Sequence, residues 1–208
     1  MTAVVATGRG LPHLERSRIL GGGRILVVMT LLAAAIATRR TLVVGGADGL
    51  LVGVGFGVAL VGIGFTGGWR PGRPSIAFLA RSAAVGSAAA LALIALVIVG
   101  RAHGPWIPLD PAASLLPWAQ VTLLVATAEE VVIRGALFQA TEDVAGPAGA
   151  IAFTAAVFAL LHVPLYGWAV VPLDLGVGVL LGGLRVLTGG VLAPVVAHVV
   201  ADLAAWWL

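Results

Sequence analysis

Residues 121–140 read VTLLVATAEEVVIRGALFQA, an apolar run whose only charged side chains are Glu129, Glu130 and Arg134. A run of about 20 apolar residues is long enough to cross the hydrocarbon core of a bilayer. Charged groups inside such a helix are costly to insert, so they pair with one another or mark a functional site. This segment therefore predicts a membrane helix with a polar site in its interior.

The composition of the whole chain excludes a water-soluble fold. Of 208 residues, 60% are hydrophobic and 10% are charged, whereas soluble domains average about 45–50% and about 25%. Apolar runs alternate with turn signals, so the sequence predicts an all-α, polytopic transmembrane bundle of about seven spans. The predicted spans cover residues 25–38, 42–68, 83–100, 115–139, 148–165, 170–187 and 191–208.

Three segments follow from this pattern: a polar leader at 1–18, N-terminal membrane helices at 19–112, and a C-terminal helical core at 113–208. The leader is expected to be disordered or interfacial, and glycines 21–23 are expected to interrupt the weak first span. A signal peptide cleaved near Ala35-Ile36-Ala37 is an alternative. The second span is rich in glycine, which predicts close approach of neighbouring helices.

Arginine placement predicts the orientation of the chain. Seven arginines fall in loops on one side of the membrane and three on the other, which favours a cytoplasmic N-terminus in a bacterial cytoplasmic membrane. The larger group is Arg9, Arg16, Arg18, Arg24, Arg70, Arg73 and Arg81, and the smaller is Arg39, Arg40 and Arg101. No basic stripe with interleaved aromatic residues is present, so nucleic acid is not an expected partner. Cysteine is absent, which excludes disulfides and thiol chemistry.

Ionisable residues inside predicted spans concentrate in the second half of the chain. Glu130 and Arg134 are spaced i, i+4 and can pair on one helix face, which leaves Glu129 to face another neighbour. These three residues could alternatively serve only to hold helices together. Asp174 and Arg185, near the ends of a predicted span, are assigned no chemistry.

Two further i, i+4 pairs occur in later spans: Phe158 with His162, and His198 with Asp202. Asp202 is spaced to accept a hydrogen bond from His198 and fix its tautomer. Glu129, His162 and His198 all fall in the middle of their helices, so three helices can bring them together.

In order along residues 115–208, these patterns resemble the three motifs of the CAAX protease and bacteriocin-processing (Abi) family of intramembrane proteases. The first box, Glu-Glu-x-x-x-Arg, matches Glu129, Glu130 and Arg134. The second, Phe-x-x-x-His, matches Phe158 and His162. The third, His-x-x-x-Asn/Asp, matches His198 and Asp202.

The resemblance implies an intramembrane endopeptidase that hydrolyses a peptide bond of a membrane-associated protein or peptide. By that resemblance Glu129 activates water with help from His162, and His198 with Asp202 stabilises the oxyanion. Arg134 holds Glu130, and Phe158 contributes to substrate binding. Family members of the prenyl-protein type usually carry Asn at the position of Asp202, so its role here is to orient His198 or to act in protonated form.

The family has also been described as metalloproteases, and Glu129, His162 and His198 are potential zinc ligands. Because no His-Glu-x-x-His box is present, we expect a reaction without a cofactor, with zinc as the alternative. Two other functions stay open. One is a non-proteolytic membrane immunity or binding protein of the same fold, and the other is a proton-coupled transporter that uses the buried charges as a relay.

Overall fold

A computed structural model describes residues 11–101 and 114–208, with side chains from 18 to 99 and from 114 onward. Every regular element in these ranges is helical, which confirms the predicted all-α class. The elements are α1 (Leu11–Val44), α2 (Gly49–Thr66), α3 (Ile76–Arg101), α4 (Leu115–Glu130), a π-helical segment (Val131–Leu137), α5 (Phe138–Tyr166), a short 3-10 turn (Trp168–Val170), α6 (Val171–Thr188) and α7 (Leu192–Ala204).

Within the described ranges, five helices are long and apolar enough to cross a membrane, and Leu192–Ala204 is a shorter apolar helix. The predicted count of about seven spans is not confirmed by this criterion. One of the five, Leu115–Tyr166, has 52 residues, which at 1.5 Å per residue is about 78 Å, more than twice a bilayer core of about 30 Å. Gly146 (φ 72°, ψ 178°) interrupts it ahead of Pro147 and separates two helices at a kink.

The N-terminal helix differs from the sequence prediction. It runs without a break through glycines 21–23, and residues 11–18 of the expected leader are helical, whereas residues 1–10 lie outside the described ranges. Glycine inside a helix costs about 1 kcal/mol relative to alanine. Gly21 offsets this cost by close packing, since a Cβ there would lie 2.9 Å from the Ala140 carbonyl oxygen.

Small residues set the distances between helices, as the glycine-rich second span predicts. In α2, Gly53 packs against Val121, and Gly57 packs against Leu124. A Cβ at Gly178 of α6 would lie 2.7 Å from the Cα of Ala155 in α5. These close approaches join α2 to α4 and α5 to α6, and side chains of all four helices share one buried core.

Arg24 ties the N-terminal part of α1 to the connection after α2. Its Nε and Nη2 atoms donate to the Gly67 carbonyl at 2.9 and 2.7 Å. The Arg24 region and the loop that carries Arg70 and Arg73 therefore lie at the same end of the bundle.

Candidate active site

The centre of the polar cluster is one oxygen of Glu130. Its Oε1 accepts a hydrogen bond from Arg134 Nη1 at 2.8 Å and lies 2.9 Å from His198 Nδ1. Glu130 and Arg134 are fully buried, and His198 is 5% exposed. The Glu130–Arg134 pair predicted from the i, i+4 spacing is present in the structure. The contact between Glu130 and His198 joins α4 to α7 and has no sequence-local signal.

Arg134 lies in the π-helical segment and is held from several directions. Its Nη2 donates to the Gly178 carbonyl at 3.2 Å, and its guanidinium carbon lies 4.6 Å from the centroid of the Phe158 ring. Its own carbonyl accepts a hydrogen bond from Arg185 Nε at 3.1 Å. Single π turns inside α-helices are frequently found at functional sites. Arg185, to which the sequence assigned no chemistry, therefore supports this segment.

Glu129 lies beside His198 but is held less tightly than Glu130. Its Oε2 is 3.9 Å from His198 Nε2, and the residue is only 4% exposed. Asp202 Oδ2 lies 3.4 Å from the same nitrogen, and the Asp202 side chain is 46% exposed. Because Glu130 Oε1 also accepts from Arg134, it is an acceptor, so His198 Nδ1 carries a hydrogen. Nε2 of His198 then faces Glu129 and Asp202.

His162 is oriented by two oxygen acceptors at one ring nitrogen. Its Nδ1 lies 3.0 Å from the Phe158 carbonyl and 3.4 Å from Asp174 Oδ2. A carbonyl and a carboxylate both accept, so the hydrogen resides on Nδ1 and the lone pair on Nε2. The sequence reasoning assigned no chemistry to Asp174, and the structure places it at the site. The available signal was an acid in the first turn of α6, a short connection after His162.

Phe158 contacts both histidines. Its ring centroid is 4.8 Å from that of His162 and 5.4 Å from that of His198, both edge-on. Phe158 is 2% exposed, so in this structure it fixes the spacing of the two imidazoles and the Arg134 guanidinium. Tyr166 stacks on His162, and the centroids of the two rings are 5.8 Å apart.

The zinc alternative has a geometric requirement that the side chains do not meet as placed. Across residues 11–101 and 114–208, no group of three or more His, Asp or Glu side chains is arranged to hold a metal ion. Glu129 and His198 approach each other, whereas His162 directs Nδ1 toward Asp174 and the Phe158 carbonyl. No step of the chemistry below is routed through a metal.

Comparison with known proteins gives one match. The family model described as type II CAAX prenyl endopeptidase Rce1-like matches residues 111–204. No curated protein and no solved structure matches the chain. The matched segment contains the Glu130–Arg134 pair, both histidines and all three other acids of the cluster. In agreement with the resemblance of the motifs, residues 111–204 are similar to the Rce1-like family of type II CAAX prenyl endopeptidases.

Proposed function

We propose that the protein is an intramembrane endopeptidase in which Glu129 activates the water that hydrolyses a peptide bond of a membrane-associated substrate. The observation that carries the proposal is that two adjacent buried glutamates differ in their contacts. Glu130 is fixed by Arg134 and His198 through one oxygen, whereas the shortest ion-pair distance of Glu129 is 3.9 Å. The similarity of residues 111–204 to a protease family supports protease activity in general.

Glu129 is the general base because its carboxylate is buried and forms no ion pair shorter than 3.9 Å. A buried carboxylate is poorly solvated, which makes it an effective acceptor for a proton from water. In the reaction, water loses this proton to Glu129 as its oxygen bonds to the scissile carbonyl carbon. The proton then passes to the leaving amine as the carbon–nitrogen bond breaks.

Both histidines carry a hydrogen on Nδ1, and their proposed tasks differ at Nε2. His162 keeps a lone pair on Nε2, which can accept a hydrogen bond from the attacking water and hold it near Glu129. His198 donates through Nδ1 to Glu130, and a proton on its Nε2 would donate to the oxyanion. Asp202, at 3.4 Å from that nitrogen, holds the ring in place.

The test replaces Glu129 with Gln, which removes the base and keeps the shape of the side chain. Protein termini in membranes of source cells are compared by mass spectrometry for wild type, Glu129→Gln and no copy. Glu142→Gln on α5 is the matched control, since Glu142 lies outside the cluster. We expect certain cleaved termini only with wild type and Glu142→Gln. Cleavage retained by a folded Glu129→Gln variant would contradict the mechanism, and identical termini in all strains would favour a binding role.

The reaction is proposed to proceed without a metal, and this is tested separately. Purified protein is treated with a strong chelator, and both its zinc content and its cleavage of the substrate identified above are measured. We expect unchanged cleavage after chelation because Glu129 supplies the base. Activity lost on chelation and restored by zinc alone would instead support the zinc alternative.

A further inference from the structure

The π-helical segment Val131–Leu137 directs one main-chain donor away from the Arg134 carbonyl. In an α-helix each N–H donates to the carbonyl four residues earlier, so Phe138 would donate to Arg134. Here the Phe138 N–H donates to the carbonyls of Ile133 and Gly135. A buried main-chain carbonyl is costly to leave without a donor. A side-chain donor at the Arg134 carbonyl therefore compensates for the altered hydrogen-bond pattern.

Arg185 of α6 supplies this side-chain donor. Its Nε lies 3.1 Å from the Arg134 carbonyl oxygen, and its guanidinium carbon lies 5.5 Å from the centroid of the Phe138 ring. Among residues 18–99 and 114–208, whose side chains the structure describes, Arg185 forms no ion pair with a carboxylate. Its polar end is therefore used at the junction of the π-helical segment with α5 and not in a salt bridge.

The end of α2 packs closely against the same segment from another side chain environment. A Cβ at Gly64 would lie 2.6 Å from Val131 Cγ1, and a Cβ at Gly135 would lie 2.5 Å from Trp69 Cδ1. The Trp69 N–H in turn donates to the Gly64 carbonyl at 3.0 Å. Packing by α2 and the residue that follows it thus restrains the segment sterically, whereas Arg185 restrains it through a hydrogen bond to its main chain.

The backbone of the π-helical segment determines where the Arg134 guanidinium lies. A π turn is closed by an i→i+5 hydrogen bond and holds one residue more than an α turn. Return to the α pattern would rotate one limb of the helix against the other by one residue, about 100°. Glu130 lies just before the segment and Arg134 lies within it. Such a rotation would change the 2.8 Å contact between them, and Glu130 Oε1 is also the acceptor 2.9 Å from His198 Nδ1.

We propose that Arg185 is a positioning residue of the protease, which holds the π turn and thereby keeps Arg134 against Glu130. The proposal rests on the proposed protease function and adds to it a residue outside the three motifs. Arg185 acts through the Arg134 carbonyl and takes no part in the reaction itself.

Two substitutions of nearly equal shape isolate the hydrogen bond. Arg185→Gln keeps an N–H donor at the same number of bonds from the main chain as Nε, whereas Arg185→Met places a methyl group there, and both remove the charge. We expect kcat for the substrate identified above to fall about tenfold in Arg185→Met, with KM near that of wild type, because one hydrogen bond to a charged group is lost. Arg185→Gln should recover most of kcat.

Arg81→Met is the matched control. Arg81 Nη2 donates to the Leu187 carbonyl of α6 at 2.8 Å, so the variant removes an arginine–carbonyl bond to the same helix without touching the π-helical segment. We expect kcat of wild type. Thermal unfolding shows whether each variant folds, and Arg185→Leu replaces Arg185→Met if the latter does not.

Nuclear magnetic resonance tests the positioning without requiring cleavage. The protein is labelled with histidine enriched in the heavy nitrogen isotope and placed in nanodiscs, and the His198 Nδ1 signal is assigned by its loss in His198→Gln. Because Nδ1 contacts Glu130, its chemical shift reports the Glu130–Arg134 arrangement. We expect this signal to move in Arg185→Met and to keep its wild-type position in Arg185→Gln and Arg81→Met.

The proposal has several ways to fail. Equal kcat for Arg185→Met and Arg185→Gln would overturn it, as would an equal loss of kcat in Arg81→Met. An unchanged His198 signal in Arg185→Met would overturn it whatever the kinetics. If the wild-type protein cleaves nothing, the protease function fails, and a His198 signal that moves in Arg185→Met alone still supports the positioning of the cluster by Arg185.

Discussion

At the scale of single residues, Asp174 Oδ2 lies 3.4 Å from His162 Nδ1 and is an acceptor for the hydrogen on that nitrogen. Asp174→Asn keeps the size of the side chain but presents a weaker acceptor to Nδ1, so the alternative tautomer becomes accessible. We expect kcat for substrate cleavage to fall about tenfold, the value of one hydrogen bond to a charged group, while KM stays near that of wild type. Cleavage kinetics of wild type and Asp174→Asn measure this.

Asp143→Asn is the matched control for that prediction. Asp143 lies 3.9 Å from Arg24 at the end of the bundle where the loop after α2 lies, so its replacement should leave kcat unchanged. Equal kcat for Asp174→Asn and wild type would show that Phe158 alone fixes the His162 tautomer.

Contacts between residues close in sequence could be predicted, whereas contacts between residues far apart in sequence could not. The Glu130–Arg134 pair was predictable because i, i+4 spacing brings two side chains together on one helix. His198 and Glu130 are separated by 68 residues, and no spacing rule states which carboxylate an imidazole on another helix will meet. The sequence therefore singled out the motif residues of the cluster, but it missed Asp174 and paired His198 with Asp202 alone. The roles of these residues in catalysis stay predictions.

At the scale of helices, the junction of α5 and α6 positions Arg134. The Gly178 carbonyl accepts a hydrogen bond from Arg134, and Gly178 packs against the backbone of Ala155. A Cβ at Gly178 would lie 2.7 Å from the Ala155 Cα, and backbone cannot rotate away as a side chain can. We expect Gly178→Ala to cost about 1–3 kcal/mol of stability through overpacking. Thermal unfolding in detergent measures the change.

Gly183→Ala provides the control in the same helix. A Cβ at Gly183 would meet no atom within 4 Å, and alanine favours helix by up to about 1 kcal/mol over glycine. The variant should be as stable as wild type or more so. Similar losses of stability in both variants would indicate that α6 tolerates no added methyl group. The close contact of Gly178 with Ala155 would then not explain the loss.

Helix positions were predicted better than helix continuity. Apolar run length located the helices after residue 114 within a few residues, but it missed one end of each of the first three by seven residues or more. Glycines 21–23 were also expected to break the first span. Their effect depends on what packs against them, since Gly21 fits closely against Ala140 and Val144 of α5. Local propensity does not contain that tertiary contact. The π-helical turn at Arg134 likewise has no signal in apolar periodicity.

At the scale of the whole molecule, the arginine distribution predicts a cytoplasmic N-terminus. The contact between Arg24 and Gly67 places the loop of Arg70 and Arg73 at the same end as the N-terminal part of α1. Single cysteines test the orientation without background because the chain has none. In intact cells, a membrane-impermeant maleimide should label Ala47→Cys and leave Gly72→Cys unlabelled until the cells are lysed. The reverse pattern would invert the predicted topology.

The kink at Gly146 has a mechanical consequence for the whole site. Glu129 and His162 lie 17 and 16 residues from it on opposite limbs, which corresponds to two lever arms of about 25 Å. A change of about 5° in the angle between the limbs displaces one group relative to the other by about 2 Å, while a misplacement of about 1 Å can cost about 100-fold in rate. The backbone angles of Gly146, about 25 Å along the chain from either side chain, therefore determine how Glu129 and His162 are placed relative to each other.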